Sequence, residues 1–152
     1  MAETLGSLCD KLTIVKLKQW HADDPAVQQN LALQEKRLQE EIEEVLSGAM
    51  TGAISPERLT FSANKVYRKE GNTVPEVTGS IGEVFARLAE VNCRLWHVQE
   101  HVYEFEKVPP GEKDRVVKDL ALLNLERTRC IDQLDTVFRS LVQSARGKPG
   151  MP

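Results

Sequence analysis

The sequence predicts an all-α fold, a four-helix bundle built from two pseudo-repeated antiparallel helical hairpins. One observation is a repeat: residues 5–21 and 81–97, aligned without a gap, are identical at Gly6/Gly82, Leu12/Leu88, Val15/Val91, Trp20/Trp96 and His21/His97. The other is the spacing of apolar residues, which alternates between three and four in the second half of the chain. Repetition predicts two related units, and the spacing predicts helices that pack lengthwise.

The first hairpin is predicted over residues 4–48. Thr4 is a favourable N-cap for a helix over the first copy of the repeat. Asp24 followed by Pro25 is a favourable N-cap and first helical residue for the next helix. We expect that helix to end near Gly48. The loop between the two helices is short, which predicts antiparallel neighbours.

The second hairpin is predicted over residues 80–145. Ser80 and Glu83 form a capping box at its start, and Val108 followed by two prolines ends its first helix. The apolar seam of the first helix comprises Ile81, Val84, Leu88, Val91, Leu95, Val98, Val102 and Phe105. The seam of the second helix comprises Val116, Leu120, Leu123, Arg127, Cys130, Leu134, Val137 and Leu141.

Residues 49–79 are predicted to be an irregular insertion within a single helical domain that covers residues 1–145. A short helix should start at residues 55–57, and a small β-ribbon could occupy residues 60–77 around a turn at Gly71 and Asn72. Such a long connection is typical of a cover or a partner-binding element. Residues 146–152 are predicted to form a disordered tail.

Composition narrows the class of protein. The chain has 152 residues and a net charge of −3, which argues against nucleic acid as a partner. It contains no apolar run of membrane-spanning length, and its N-terminus does not resemble a secretion signal. Cys9, Cys93 and Cys130 lack metal-binding or redox spacing and are interpreted as small buried hydrophobes in a reducing compartment. We therefore expect a cytoplasmic protein without a membrane or nucleic-acid partner.

Arg127 interrupts an otherwise apolar seam. In a hairpin that turns near Pro110, Cys93 should lie opposite Arg127, and His97 should lie opposite Asn124. A buried guanidinium is unfavourable without a carboxylate, a carbonyl or a bound anion as a partner. The carboxylates within reach on the facing helix are those of Glu90, Glu100 and Glu104.

Three interpretations of this cluster stay open. In the first, Trp20 and Trp96 fill the core, the histidines form hydrogen bonds across the bundle, and Arg127 makes a structural ion pair. In the second, His97, Glu100 and His101 bind a metal; their spacing resembles an inverted zinc-peptidase motif, and His21 with Asp24 would be the counterpart in the first copy. In the third, His97, Asn124 and Arg127 bind a phosphate or carboxylate.

An acidic run on the second helix, Glu40, Glu41 and Glu44, resembles half of the magnesium site of the all-α MazG-type nucleotide pyrophosphohydrolases. That family needs a second acidic helix shortly downstream, whereas here the long insertion follows. We therefore interpret the acidic run as a solvated helix face.

Two separated motifs resemble one known family. They are Trp96-His97-Val98-Gln99-Glu100 and Asn124-Leu125-Glu126-Arg127-Thr128, followed by Asp132. Their order is similar to the W-H-x-E-D … N-x-x-R-T … D pattern of an uncharacterised bacterial family, the domain-of-unknown-function family four-two-five-four. The chain departs from it at Gln99, where an acid is expected, and at Leu38, where the first copy would have the arginine. The resemblance implies an all-helical protein without an established activity. It also implies that Trp96, His97, Glu100, Asn124 and Arg127 act as a unit.

From these observations we expect a helical protein that self-associates through its helix faces as a homo-oligomer. The alternative is a protein that binds a small anionic ligand or a metal between the helices of the second hairpin, with or without catalysis. The sequence leaves open whether the chain is an enzyme, and it identifies no cofactor.

Overall fold

The computed structural model describes residues 3–61 and 74–147. Four α-helices pack against one another: α1 spans Leu5–His21, α2 Pro25–Thr51, α3 Ile81–Tyr103 and α4 Lys113–Arg146. Short 3₁₀ turns lie at Pro56–Arg58, Phe105–Lys107 and Pro110–Glu112. The described part of the chain contains no β-strand, so the predicted all-α four-helix bundle is confirmed.

The helices begin at the predicted cap residues. Thr4 Oγ1 accepts a hydrogen bond from a first-turn backbone N–H at 3.3 Å, and Asp24 Oδ1 accepts one at 2.8 Å. Ser80 and Glu83 form the reciprocal pair of a capping box. These bonds satisfy N–H groups that have no partner within their own helices.

The helix ends differ from those predicted. α2 continues past Gly48, because Ala49 is fully buried and remains helical within the core. It ends at Thr51, and the following Gly52 has a φ of +83°, a left-handed conformation that glycine adopts without a steric penalty. α3 ends earlier than its apolar seam, at Tyr103, and α4 extends to Arg146, the first residue of the predicted tail.

The centre of the bundle is formed mainly by α1, α3 and α4. α1 contacts all three other helices, whereas the most extensive packing is between α3 and α4. α1 runs antiparallel to α4, because Gly6 contacts Asp135 and Asp10 contacts Arg127. The largest fully buried apolar side chains are Leu8, Leu88, Leu134, Val84, Val91 and Val142.

The predicted seam is correct for α3 but only partly correct for α4. Val84, Leu88, Val91 and Leu95 of α3 are buried. In α4 the inward positions after Leu134 are Phe138 and Val142, while the predicted Leu141 is 51% exposed. A strict seven-residue repeat drifts around a straight α-helix of 3.6 residues per turn. Over a helix as long as α4, that drift moves the buried face by one residue.

The prediction that both tryptophans fill the core is wrong. Trp20 is 87% exposed. It follows the buried Val15 by five positions and therefore lies about 140° around the helix from it. Trp96 is half-buried on the surface of α3, where it contacts α1 rather than the bundle centre.

The predicted ribbon over residues 60–77 and the last residues of the tail fall largely outside the described part of the chain. The described residues on either side of that gap, 59–61 and 74–80, contain no strand. Among the helices that the structure describes, none is long and apolar enough to cross a membrane.

Candidate functional site

Three of the five predicted site residues lie together at the surface of α3. Trp96 Nε1 donates a hydrogen bond to Glu100 Oε1 at 3.0 Å, and His97 Nδ1 lies 3.7 Å from Glu100 Oε2. His21 stacks on Trp96 with ring centroids 4.5 Å apart and planes inclined by 20°. Its Nδ1 lies 2.7 Å from the carbonyl oxygen of Leu17, which can only accept, so this nitrogen carries the proton.

Arg127 is turned away from that surface and binds a carboxylate of the first hairpin. Its Nε and Nη2 donate to the two carboxylate oxygens of Asp10 at 2.8 and 2.5 Å. The prediction that Arg127 pairs with Glu90, Glu100 or Glu104 of the facing helix is therefore wrong. Parallel bonds of this kind are the strongest ion-pair geometry that arginine makes.

The neighbouring residue explains why Arg127 points towards α1. Glu126 occupies the face of α4 that is turned to α3, and its Oε1 lies 3.0 Å from Nη2 of Arg87. One helical position corresponds to a rotation of about 100°, so the next side chain is directed elsewhere. Arg87 also donates to the carbonyl oxygens of Pro75 (3.1 Å) and Glu76 (2.9 Å) and so holds this segment against α3.

Asp10 connects three helices. It is 4% exposed and accepts a further hydrogen bond from Asn92 Nδ2 of α3 at 2.9 Å. Its hydrogen bonds raise the pKa of Arg127 above the ordinary value, against the opposing effect of burial. Within the described residues, the buried Oδ1 of Asn92 has no hydrogen-bond partner. Asn92 thus helps to fix the carboxylate of Asp10, and Asp10 in turn fixes the direction of the Arg127 guanidinium.

Asn124 bonds within its own helix. Its Nδ2 donates to the backbone carbonyl oxygen of Leu120 at 3.0 Å. The backbone carbonyl oxygen of Asn124 accepts a hydrogen bond from Thr128 Oγ1 at 3.0 Å. The described hydrogen bonds do not link it to His97 or Arg127. The five predicted residues are thus distributed over a surface patch, a local helix contact and an interhelical ion pair.

A cleft lies between α3 and α4 on the side of His97. It encloses about 510 Å³ and opens to solvent. Apolar side chains from both helices, including Val98, Leu122 and Leu123, form part of its lining. Its charged lining comprises Arg94, Arg115, Asp119 and Glu126, and His97 also lines it. This volume lies within the range of about 300–1,000 Å³ that is usual for clefts that bind small molecules.

The three predicted metal ligands do not converge. His97 lines the α3–α4 cleft, whereas His101 lines a separate cavity of about 250 Å³ near the start of α4. Throughout residues 3–61 and 74–147, no group of three or more His, Cys, Asp or Glu side chains could hold a metal ion. The helical spacing brings only His97 and Glu100 near each other.

The cysteines differ in their surroundings. Burial raises the pKa of Cys9 and of Cys130 to about 11. Cys93 is exposed, so its predicted burial is wrong. It follows the buried pair Val91 and Asn92 and faces solvent rather than Arg127. All three are free thiols.

A second buried carboxylate lies at the N-terminus of α1. Asp135 is 1% exposed, and its Oδ1 accepts a hydrogen bond from the backbone N–H of Gly6 at 2.7 Å. Burial raises the pKa of Asp135 to about 6, although hydrogen bonds from Thr4 and Gly6 oppose this rise. Gly6 permits the approach, because a Cβ there would lie 2.6 Å from the carbonyl oxygen of Ile131.

Sequence reasoning missed Asp10, Asn92 and Asp135. The available signal was the weak amphipathicity of α1, whose apolar residues are spread around much of its circumference. A helix that contacts three others buries some of its polar residues, and a buried acid needs partners. Asp10 is therefore the expected partner of an arginine in a seam, once α1 is recognised as central.

Comparisons with family models, with curated proteins and with solved structures found no match to this chain. The resemblance of its two motifs to the family four-two-five-four therefore stays a prediction.

Proposed function

We propose that the chain binds a small organic anion in the cleft between α3 and α4. The observation that supports this proposal is a ligand-sized cleft, about 510 Å³, in which cationic side chains stand beside apolar ones. Binding sites for small molecules are typically clefts of about 300–1,000 Å³ with a few fixed polar groups. His97, one of the predicted site residues, belongs to the lining.

The charges in the cleft favour an anion. Glu126 is already paired with Arg87, and Asp119 lies 3.8 Å from Arg115. Arg94 has no carboxylate within ion-pair distance among residues 3–61 and 74–147. Its guanidinium is thus the group that would bind a phosphate or carboxylate.

The test is a thermal-shift screen with nucleotides, sugar phosphates and dicarboxylates, followed by titration calorimetry of any ligand that raises Tm. A ligand present at 100 times its Kd stabilises the folded state by about 2.7 kcal/mol. We expect Arg94→Ala to weaken binding at least tenfold (about 1.4 kcal/mol). Arg129→Ala is the matched control, because Arg129 is exposed on α4 and does not line the cleft. Equal affinities of the two variants would contradict the proposal.

A second candidate function is self-association with another copy of the chain. It is supported by two large apolar side chains near the tip of the α1–α2 hairpin: Trp20 is 87% exposed and Val27 44%. Exposed tryptophans are enriched where proteins bind proteins. We expect sedimentation equilibrium to detect an oligomer that Trp20→Ser dissociates. Tyr103→Ser, which replaces an exposed aromatic side chain on α3, should leave the oligomer intact. Dissociation by both variants, or by neither, would argue against this interface.

A cytoplasmic location is also proposed. Free thiols at Cys9, Cys93 and Cys130 support a reducing compartment.

A further inference from the structure

We propose that a groove between α1 and α2 is a second binding site, for a small organic anion that carries a hydrocarbon portion. The groove encloses about 340 Å³. α1 forms one wall and α2 the other, and Arg127 of α4 also contributes to the lining. It is separate from the α3–α4 cleft, with which it shares no lining residue.

The groove is basic although the whole chain is acidic. Its charged lining consists of Lys11, Lys18, Arg37 and Arg127 against the single acid Glu41. The net charge of the whole chain is −3, so the groove carries the opposite sign of charge to the chain as a whole. Cations gathered around a concave surface raise the local concentration of anions and favour their binding.

The guanidinium of Arg127 is held in a fixed orientation and keeps donor groups free for an anion. Asp10 engages its Nε and Nη2, whereas Nη1 makes no hydrogen bond to the residues that the structure describes. The side chain of Arg127 is 33% exposed, and that of Asp10 only 5%. The ion pair therefore fixes the guanidinium plane from the buried side and leaves donor groups on the groove side. A donor that is already oriented loses little conformational entropy when a ligand binds.

Lys18 and Arg37 are the cations most available to a ligand. Neither has a carboxylate within ion-pair distance in residues 3–61 or 74–147. Lys11, in contrast, lies 2.5 Å from Glu3 Oε1. Lys18 and Arg37 come from opposite walls, so one anionic group between them could contact both helices.

The apolar part of the lining favours a ligand that carries a hydrocarbon portion beside its anionic group. Ile14, Val15 and Leu38 line the groove together with the cations. A bare inorganic anion would leave this surface in contact with water, whereas a hydrocarbon portion would cover it. Burial of each methylene group away from water would favour binding. The chemistry on both walls therefore fits an alkyl or aryl phosphate or carboxylate better than inorganic phosphate.

Titration calorimetry with hexyl phosphate tests this site in the full-length protein. Two comparison compounds separate the contributions: inorganic phosphate has the anion without the hydrocarbon, and hexylamine has the hydrocarbon with the opposite charge. We expect hexyl phosphate to bind saturably, inorganic phosphate to bind at least tenfold more weakly, and hexylamine not to bind. Absence of saturable binding by hexyl phosphate, or equal binding of hexylamine, would overturn the proposal.

Substitutions then locate the site. Arg37→Ala and Lys18→Ala should each weaken hexyl phosphate binding at least fivefold without lowering Tm, because both side chains are exposed. Lys36→Ala is the matched control, since it removes the same charge one position away and Lys36 does not line the groove. Arg94→Ala, in the α3–α4 cleft, should also leave this affinity unchanged. Equal losses of hexyl phosphate affinity in Arg37→Ala and Lys36→Ala would overturn the proposed site. A loss of affinity in Arg94→Ala alone would place hexyl phosphate in the α3–α4 cleft and would also overturn the proposal.

Discussion

Arg127 of α4 and Asp10 of α1 form a two-bond ion pair that joins the two hairpins of the bundle, with donor–acceptor distances of 2.8 and 2.5 Å. Asn92 of α3 adds a bond to the same carboxylate at 2.9 Å. Three helices thus meet at one buried acid. Such a contact specifies how the hairpins lie against each other, because any other alignment would leave Asp10 without its hydrogen-bond partners.

Arg127→Met should destabilise the fold by about 3–5 kcal/mol, since it leaves the Asp10 carboxylate buried without its cation. Replacing both residues, as Asp10→Leu with Arg127→Met, should cost less than the two single changes added together, because neither charge then stays unpaired. Urea denaturation of the wild type, both single variants and the double variant measures this difference.

Arg129→Met is the control for the loss of an arginine from α4. Arg129 is exposed, so its replacement should change the free energy of unfolding by no more than about 0.5 kcal/mol. Additive effects of the Asp10 and Arg127 changes would contradict a coupled pair.

The repeated glycines should respond in opposite directions to the same substitution. A Cβ on Gly6 would lie 2.6 Å from the Ile131 carbonyl oxygen and 2.9 Å from Asp135 Oδ1, whereas a Cβ on Gly82 would meet nothing within 4 Å. Gly6→Ala should therefore destabilise by about 1–3 kcal/mol through overpacking. Gly82→Ala should stabilise by about 0.5 kcal/mol, because alanine favours the helix. Thermal unfolding of both variants measures these changes in stability. A gain in stability from both substitutions would refute the close approach of α1 to α4.

Local signals were sufficient for much of the fold. Thr4, Asp24 and Ser80 cap helices where their side chains predict, and the seam of α3 is buried as its spacing indicates. The predicted end of α2 at Gly48 is wrong, because a glycine can stay helical when the next residue is in the core. Size and apolarity predict burial for Trp20, whereas its angular position on α1 directs it outward.

The candidate site was harder to predict, because its contacts join residues far apart in the chain. The need of Arg127 for a partner was foreseeable from its seam position, but the choice of Asp10 depends on which helix lies beside α4. Aligned copies of a repeat also need not have equal roles: Arg127 aligns with Leu38, and both line the same groove from different helices. Pairing between hairpins is a property of the bundle and leaves no local pattern.

One thiol of the three should react much faster than the others. Cys93 is exposed, while Cys9 is partly buried and Cys130 fully buried, and the latter two have pKa values raised to about 11. Alkylation requires the thiolate, so iodoacetamide at pH 8 should first modify a single site. Mass spectrometry of peptides should identify it as Cys93, and Cys93→Ser should remove the fast phase. All three should react together in denaturant; fast labelling of Cys130 in the native protein would contradict its burial.

The stability of the fold should depend on pH through Asp135. Its pKa rises from the ordinary 3.8 to about 6 because the carboxyl group is buried. Between these two values the folded protein holds a proton that the unfolded chain has released, so this group makes the fold less stable as the pH rises from about 4 to 6. A shift of this size corresponds to about 3 kcal/mol. From about pH 7, one unit above the folded-state pKa, both states are ionised and the contribution becomes constant.

Asp135→Asn should remove that slope, because the amide keeps an oxygen that can accept from Gly6 and does not ionise. The measurement is the free energy of unfolding in urea at several pH values from 4 to 7, taken as the difference between variant and wild type. This difference cancels the opposite trend from Glu3 and Glu83, whose pKa values are lowered by hydrogen bonds. Asp23→Asn, at an exposed acid, should keep the wild-type slope. Burial also raises the pKa of Asp132, so a smaller decline can persist in the variant. A variant that retains the whole wild-type decline between pH 4 and 6 would show that the carboxyl group of Asp135 is not its source.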